Sequence, residues 1–103
     1  MQPRGSKNFV YKLTKLAVED FSTIYDYTFQ RFGERQADAY TETLEAFLNS
    51  VADMPSLGRY YPTIPDVRRI EFQKHSIFYK IEHTDILVIR ILHQQMNHIQ
   101  HLI

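Results

Sequence analysis

Residues 68–96 read RRIEFQKHSIFYKIEHTDILVIRILHQQM, and this stretch decides the fold of the chain. It divides into three short runs, 68–72, 75–81 and 86–96, which are rich in β-branched and aromatic residues. Such runs are typical of β-strands. Because only a few polar residues separate the runs, they predict antiparallel hairpins, whereas parallel strands need long crossover connections. The C-terminal part of the chain therefore predicts a small three-stranded meander.

The third run predicts a strand with a central place in the sheet. Nearly every residue from Ile86 to Leu92 is apolar, which is typical of a strand buried on both faces. The second run alternates, with Ile77, Tyr79 and Ile81 on one side, and so predicts one core face and one more polar face.

Arg90 interrupts the apolar third run. A buried guanidinium is costly unless it is paired. We therefore expect Arg90 to be anchored by a carboxylate or by carbonyl oxygens, or to be held in place for a ligand. Alternation along the strand places Arg90 and His93 on opposite faces, so we do not expect them to share one site.

Upstream of the meander, the sequence predicts a strand over 9–13 and a helix over 15–32. Thr14 can cap the first turn of the helix, and Gly33 can end it in a left-handed conformation. The strand's apolar face comprises Phe9, Tyr11 and Leu13. The apolar stripe of the helix comprises Ala17, Phe21, Ile24, Thr28 and Phe32.

A second helix is predicted to begin near Glu34, and the short connection forces the two helices into an antiparallel pair. Its apolar stripe comprises Ala37, Tyr40, Leu44, Phe47, Leu48 and Val51. The segment 54–66 contains three prolines and is predicted to be a loop without a regular element. Within it, Tyr60 and Tyr61 can pin the loop to the core or, with Arg59, stack on a nucleotide base; we favour the first.

The predicted element order is β-α-α-β-β-β. It defines an α+β single domain in which an antiparallel helical hairpin packs on a small curled, mainly antiparallel sheet. We assign residues 8–103 to this domain. Residues 1–7 show no apolar periodicity and are interpreted as a disordered tail or an expression remnant.

The composition limits the possible functions. With 103 residues, 44% of them hydrophobic, the chain can build one modest core. Without cysteine it offers neither a disulfide nor a thiolate metal site, and no apolar run is long enough to cross a membrane. We therefore expect a soluble, cytoplasmic protein.

The 12 basic and 12 acidic residues are unevenly distributed along the chain. Acids dominate 17–53, with eight against two basic residues, whereas 67–96 holds five basic residues and three acids. The two halves form either ordinary solvated surfaces or a functional polarity in which the basic side meets an acidic partner.

Common catalytic arrangements are missing from the sequence, and no cofactor is predicted. Ser76 and His75 cannot act as a dyad, because neighbouring strand residues point to opposite faces. A metal site built from His93, His98 and His101 is disfavoured, because no acid follows Asp85 to complete it. Nucleic-acid binding is compatible with the basic and aromatic residues of the sheet, but the net charge of zero argues against it.

Three segments of the meander carry a resemblance to a known family: 68–70, 74–79 and 88–96. They resemble the C-terminal signature of ParE-type toxins in the RelE/ParE superfamily of bacterial toxin–antitoxin systems, some of which serve plasmid stabilisation. The likeness extends upstream through Leu13, Thr14, Ala17, Asp20, Ile24, Tyr27, Phe32, Gly33 and the turn from Pro55 to Gly58.

The resemblance implies one of two functions. RelE-like members are ribosome-dependent messenger RNA endonucleases, whereas ParE-like members inhibit DNA gyrase and block replication. The endonucleases carry an arginine on the strand that corresponds to residues 75–81, and Ser76 stands at its position here. Their basic, tyrosine-bearing C-terminal tail corresponds to residues 94–98, which contain neither a lysine, an arginine nor a tyrosine. The resemblance therefore favours a gyrase inhibitor that is not an enzyme, neutralised by a ParD-like antitoxin.

The residues implied to bind gyrase or its DNA are Arg69, Lys74, His75, Arg90, His93, Gln94 and Met96. Those implied to bind the antitoxin are Tyr25, Phe29, Tyr40 and Phe78. The alternative function, a ribosome-dependent RNase, would use Arg59, Lys74, Arg90 and His93, with His93 and His98 as the acid–base candidates.

Overall fold

The computed structural model describes residues 10–83 and 85–103, in which two long helices and a short C-terminal helix pack on a five-stranded mixed sheet. The elements are β1 (Val10–Leu13), α1 (Lys15–Phe32), α2 (Glu34–Asp53), β2 (Arg59–Tyr60), β3 (Arg68–Phe72), β4 (His75–Glu82), β5 (Asp85–His93) and α3 (His98–Leu102). The strand order is β1-β5-β4-β3-β2, with β1 parallel to β5 and the other pairs antiparallel. The α+β fold is confirmed, and β5 is an interior strand, although β4 occupies the middle of the order; the tail predicted over 1–7 and the prediction for Phe9 lie outside the described residues.

The first helix of the hairpin begins after Thr14 and ends before Gly33, as the sequence predicts. The Thr14 hydroxyl accepts a hydrogen bond from the Ala17 amide at 3.1 Å and caps α1. Gly33 separates α1 from α2 and has a φ of +92°, a value that favours glycine. Its N–H donates to the Phe29 carbonyl at 2.8 Å, but its ψ of 176° is extended, so the predicted left-handed helical conformation is wrong in detail.

A hydrophobic core lies between the hairpin and the sheet. Its members are Ala17, Ile24, Leu44, Leu48, Val51, Ala52, Phe72, Ile77, Tyr79, Ile86, Val88 and Ile91. The predicted stripes supply most of the helical members. Phe32 is an exception, because its side chain is 63% exposed. Residues four positions apart are offset by about 40° around a helix. The stripe through Ile24 and Thr28 has therefore turned away from the core by the time it reaches Phe32.

The opposite face of the sheet carries a second buried cluster, which contradicts the prediction that this face of β4 is polar. Phe78 and Ser76 are both fully buried there. The cluster comprises Val67, Phe78 and Leu92, with Tyr61, Ile64, Ile89 and Leu102 packed against it. The pattern of a single strand could not reveal that the 61–67 loop and α3 cover this face. Ile81, predicted in the core, is 42% exposed.

The first turns of α1 replace a missing strand beside β5. β1 pairs with only the first half of β5. Beyond it, the amide and hydroxyl of Thr14 donate to the carbonyls of Val88 and Ile89 at 3.0 and 2.7 Å. The Asp20 carboxylate accepts from the Ile91 amide at 2.9 Å. Backbone groups at this edge of β5 are therefore satisfied by helix residues.

The segment 54–66 contains two short elements where none was predicted. Pro55–Leu57 form a single 3-10 turn, and β2 pairs with β3 at the edge of the sheet. A two-residue strand has no periodic signal, so the sequence could not reveal it. The predicted anchoring of the loop to the core is confirmed for Tyr61, whose ring packs edge-on against Phe78 with the centroids 5.3 Å apart. It is wrong for Tyr60, which is 66% exposed.

The Tyr79 hydroxyl fixes this loop from inside the core. It donates to the Pro55 carbonyl at 2.6 Å and accepts from the Gly58 amide at 2.9 Å. A Cβ atom at Gly58 would lie 2.5 Å from that hydroxyl oxygen and 3.0 Å from the Arg69 carbonyl oxygen. The φ of Gly58 is −77°, which suits any residue. Glycine is therefore required at this position because of the close approach of these atoms and not because of the backbone conformation.

The C-terminal segment leaves the sheet earlier than predicted. β5 ends at His93, and α3 begins at His98 after a turn. Asn97 caps α3 by accepting from the Gln100 amide at 3.4 Å. Among the helices described, none has the length and apolar character needed to span a membrane.

Candidate functional site

Cross-strand pairing divides the residues predicted to bind the target between the two faces of the sheet. One row comprises Phe72, His75 and His93, and another, three residues further along β4, comprises Arg69, Phe78 and Arg90. Phe72 belongs to the core under the helices, so the two histidines lie on the helix-covered face. Phe78 belongs to the opposite cluster, so the two arginines lie on that face. The predicted separation of Arg90 from His93 is confirmed, and the seven residues do not converge on one point.

Arg90 is anchored by a carboxylate and a carbonyl, as the first of the two predicted alternatives required, and it is not held free for a ligand. Its Nε and Nη2 donate to the two oxygens of Asp20 at 2.8 Å each, and its Nη1 donates to the His101 carbonyl at 2.9 Å. The side chains of Arg90 and Asp20 are only 15% and 12% exposed. The hydrogen bonds that Arg90 donates to Asp20 raise the pKa of Arg90 above its ordinary value. Sequence reasoning did not identify Asp20 as the partner of Arg90, because the two residues are 70 positions apart and share no local pattern.

A histidine group, made of His75, His93 and Tyr40, lies between α2 and the end of the sheet. The Tyr40 hydroxyl and the Nδ1 of His75 are 2.9 Å apart, and the two imidazole rings are nearly perpendicular with centroids 5.6 Å apart. The Nδ1 of His93 accepts from the Gln95 amide at 3.1 Å. The His93 carbonyl accepts from the Nε2 of His98 at 3.0 Å, so that nitrogen carries a proton.

Acid is expected to destabilise the folded state through His75. Burial lowers the pKa of His75 from 6.5, His93 lowers it further and Asp20 acts in the opposite direction. Below pH 6.5 the unfolded chain binds a proton at this residue while the folded chain resists it, so stability falls as the pH drops from there through the folded pKa. Urea unfolding at decreasing pH should therefore show a larger loss for the wild type than for His75→Gln. Equal losses in the two proteins would contradict this assignment.

Glu71 organises the polar part of the opposite face. Its carboxylate accepts from the Nε of Arg69 at 2.6 Å, the Ser76 hydroxyl at 2.8 Å and the Nε2 of Gln94 at 3.0 Å. Burial opposes ionisation of this carboxyl, but the three hydrogen bonds outweigh burial and hold the pKa of Glu71 below its ordinary value. Two predicted target residues, Arg69 and Gln94, are thus brought together around a carboxylate that the sequence did not single out.

The two remaining target candidates lie on exposed turns near the histidine group. Lys74 occupies the β3–β4 turn, where Gln73 has a φ of +53°, and its carbonyl accepts from the Gln94 amide at 2.9 Å. Met96 follows β5 and is 40% exposed. Its amide donates to the His93 carbonyl at 3.0 Å, which holds the turn against the strand end.

The residues predicted to bind the antitoxin also occupy different places. Tyr25 and Phe29 lie on the outside of α1 with their rings stacked, and the Tyr25 hydroxyl donates to Asp38 at 2.9 Å. Tyr40 is half-buried in the histidine group. Phe78 is fully buried in the second cluster, so its predicted place on a partner surface is wrong.

The three histidines considered for a metal site do not point to a common centre. The ring of His98 faces the His93 carbonyl and packs edge-on against Phe78, with centroids 5.1 Å apart. Within residues 10–83 and 85–103, no three His, Cys, Asp or Glu side chains are placed to hold a metal ion.

Comparison with solved structures identifies the class of fold. A chain of the chromosomal ParDE system from P. aeruginosa superposes with a TM-score of 0.73 at 21% identity, over 85% of this chain and 98% of that one. The intact E. coli RelBE toxin–antitoxin complex gives a TM-score of 0.56 at 14% identity, over 84% and 96% of the two chains. The fold is therefore the α+β fold shared by ParE and RelE toxins.

The sequence comparisons identify the family. Residues 11–98 match the profile described as the ParE toxin of the type II toxin–antitoxin system parDE. The chain is 33% identical over 93 residues to Toxin ParE1 of Caulobacter vibrioides, covering 89% of this chain and 96% of that protein. It is 32% identical over 89 residues to Toxin ParE1 of Mycobacterium tuberculosis, covering 84% and 91%. The chain belongs to the ParE toxin family of type II toxin–antitoxin systems.

Proposed function

We propose that this toxin inhibits DNA gyrase in the cytoplasm, blocks replication, and is neutralised by a ParD-like antitoxin. The observation that carries the proposal is the match to the ParE family over residues 11–98. The fold alone would not separate a gyrase inhibitor from a ribonuclease, because both ParE and RelE structures resemble it.

The arrangement of the RNase candidates supports a toxin that binds its target without cleaving it. Arg90 is engaged by Asp20 and the His101 carbonyl. His93 lies on the opposite face of the sheet, and Lys74 occupies a turn. Cleavage of a phosphodiester needs basic groups and an acid or base around one phosphate, and these residues do not meet that requirement together.

The outer side of the helical hairpin supports the antitoxin part of the proposal. Helical spacing places one apolar stripe there, made of Val18, Tyr25, Phe29 and Phe32. Phe29 and Phe32 are 43% and 63% exposed. The hydrogen bond from Tyr25 to Asp38 sets this stripe beside α2, where a shallow depression is lined by three acids, Glu34, Asp38 and Glu42, together with Arg35 and Ala39. The surface suits an antitoxin segment with apolar and basic side chains.

Replacing Phe29 with alanine is expected to weaken the antitoxin complex about tenfold, because exposed aromatics often dominate such interfaces. Tyr27→Ala is the matched control, since Tyr27 is 58% exposed but lies on another side of α1, near Arg31. Isothermal titration with the antitoxin encoded beside the toxin gene measures both affinities. An unchanged affinity for Phe29→Ala, or equal losses in the two variants, would remove this stripe from the interface.

The target itself is tested by two assays run in parallel. We expect the purified toxin to inhibit gyrase supercoiling and to leave messenger RNA intact in a coupled translation assay read by primer extension. Addition of the antitoxin should restore supercoiling. Cleaved messenger with unaffected gyrase would overturn the proposal in favour of the ribonuclease, and inactivity in both assays would indicate a degenerate toxin.

A further inference from the structure

We infer that Glu71 positions Arg69 and Gln94 so that the face of the sheet opposite the helices recognises a polypeptide segment of gyrase rather than its DNA. The inference rests on the proposed function and deepens it, because it names the chemical class of the surface that the toxin binds. The three residues line a groove of about 770 Å³ beside β2. Glu71 is the positioning residue, since it acts through the other two.

The Glu71 carboxylate is oriented from inside the fold. Ser76 lies directly opposite Glu71 in the pairing of β3 with β4, and its hydroxyl donates to the Oε1 of Glu71 at 2.8 Å. Because Ser76 is fully buried, its hydroxyl cannot turn to water instead. The carboxylate therefore has a fixed orientation toward Arg69 and Gln94.

Arg69 is held through one nitrogen only, which leaves the rest of its guanidinium available. Its Nε donates to the Oε2 of Glu71 at 2.6 Å, and its Cζ lies 5.8 Å from the ring centroid of Phe78. Within residues 10–83 and 85–103, the Nη1 and Nη2 of Arg69 form no hydrogen bond. Such a pair of nitrogens forms a fork that fits a carboxylate through two parallel hydrogen bonds. Glu71 thus fixes the side chain without using that fork.

Gln94 is left with a free acceptor, because both hydrogens of its amide nitrogen are used. Its Nε2 donates to the Oε1 of Glu71 at 3.0 Å and to the Gln73 carbonyl at 2.8 Å. An ionised carboxylate and a carbonyl can only accept, so the nitrogen of the amide faces them and not the oxygen. The Oε1 of Gln94 accepts no hydrogen bond from the described part of the chain.

The groove therefore presents donors and an acceptor side by side, and this combination selects the chemistry of the partner. An ionised phosphate diester offers acceptors alone. It could bind Arg69, but it would leave Gln94 unpaired and would approach the negative charge of Glu71. A polypeptide offers both kinds of group, because a carboxylate or carbonyl can bind Arg69 while an N–H donates to Gln94.

A second arginine indicates that the polypeptide segment is acidic. Arg59 lies directly opposite Arg69 on β2, is exposed, and forms no ion pair with the residues that the structure describes. Like charges directly opposite each other on neighbouring strands are unfavourable. Glu71 compensates only one of the two arginines, so the groove keeps an excess of positive charge. An acidic side chain of the target would relieve the repulsion and pair with the free fork of Arg69.

Fluorescence anisotropy of the labelled toxin, titrated with gyrase in the absence of DNA, tests this inference on the intact chain. We expect saturable binding by the wild type. Arg69→Ala should weaken the binding about tenfold, because arginines at the centre of an interface often dominate its affinity. Glu71→Gln should weaken it about threefold to tenfold, since the released side chain of Arg69 must then be immobilised on binding.

A double-mutant cycle separates positioning from a general structural effect. In the Arg69→Ala background, Glu71→Gln should weaken binding by no more than about twofold, because the effect exerted through Arg69 is already lost. Ser76→Ala keeps the charge of Glu71 but removes the buried donor, and it should weaken binding less than Glu71→Gln does. Glu82→Gln is the matched control, because it removes the same charge from an exposed position at the end of β4, and it should bind as the wild type does.

Wild-type affinity for Glu71→Gln, an undiminished effect of Glu71→Gln in the Arg69→Ala background, or binding that requires DNA would overturn the inference. The supercoiling assay, run with the same proteins, keeps this inference apart from the proposed function. A toxin that inhibits supercoiling but binds gyrase only on DNA would overturn the inference and leave the proposed function standing. A toxin that neither inhibits gyrase nor binds it would overturn both.

Discussion

Replacing Asp20 with alanine is expected to lower the free energy of unfolding by about 3 kcal/mol, because it leaves the largely buried guanidinium of Arg90 without its partner. Asp20 binds Arg90 through both carboxylate oxygens and also accepts from the Ile91 amide. The substitution therefore removes three hydrogen bonds at once, and all three join α1 to β5. Asp20→Asn should cost less, since the amide retains one acceptor oxygen.

Urea unfolding followed by circular dichroism measures this effect, and two further variants locate its cause. Asp26→Ala removes the same charge from an exposed position of α1 and should change stability by less than about 0.5 kcal/mol. The double variant Asp20→Ala/Arg90→Met should be more stable than Asp20→Ala, because it also removes the unpaired guanidinium. If the double variant loses as much free energy of unfolding as Asp20→Ala and Arg90→Met lose in sum, the two side chains are not coupled.

Replacing Tyr79 with phenylalanine is expected to lower the free energy of unfolding by about 2–3 kcal/mol, although the ring is retained. The lost hydroxyl leaves the Pro55 carbonyl and the buried Gly58 amide without partners. An unpaired buried polar group costs about 1–3 kcal/mol. The loop carrying β2 should then open more readily, since the hydroxyl ties it to the core at two points.

Hydrogen exchange distinguishes this local effect from general destabilisation. In Tyr79→Phe the Gly58 amide should exchange faster, at denaturant concentrations where amides of α1 stay protected. Tyr27→Phe, which removes a hydroxyl from an exposed ring, is the control and should be neutral. Unchanged protection at Gly58 would mean that the loop is held mainly by Tyr61 and the second cluster.

Much of the scaffold could be predicted because its signals are local. Thr14 and Gly33 mark the ends of α1, and both do so through hydrogen bonds within four residues of themselves. The apolar run in β5 predicted its interior position in the sheet, because a strand covered on both sides has no polar face. β2 escaped prediction, since two residues are too few to show a period.

The candidate site was less predictable, because its partners are distant in sequence. Arg90 was identified as a residue that needs an anchor, but its partner is 70 positions away. Phe78 has the spacing of an exposed aromatic, yet the loop and α3 bury it. The pairing of Arg59 with Arg69 depends on the register between β2 and β3, which no periodic pattern encodes.

The sequence by itself determined the order of the main elements, the helix ends, the interior position of β5 and the likeness to a toxin family, because each depends on residue type and short-range spacing. Only the tertiary structure decided how the polar residues are used. It assigned Arg90 to Asp20 and Ser76 to Glu71, placed the histidines on the face opposite the arginines, and formed the groove at the sheet edge. A side chain's partner is set by the packing of whole elements against each other, and that packing follows from the burial of many residues together.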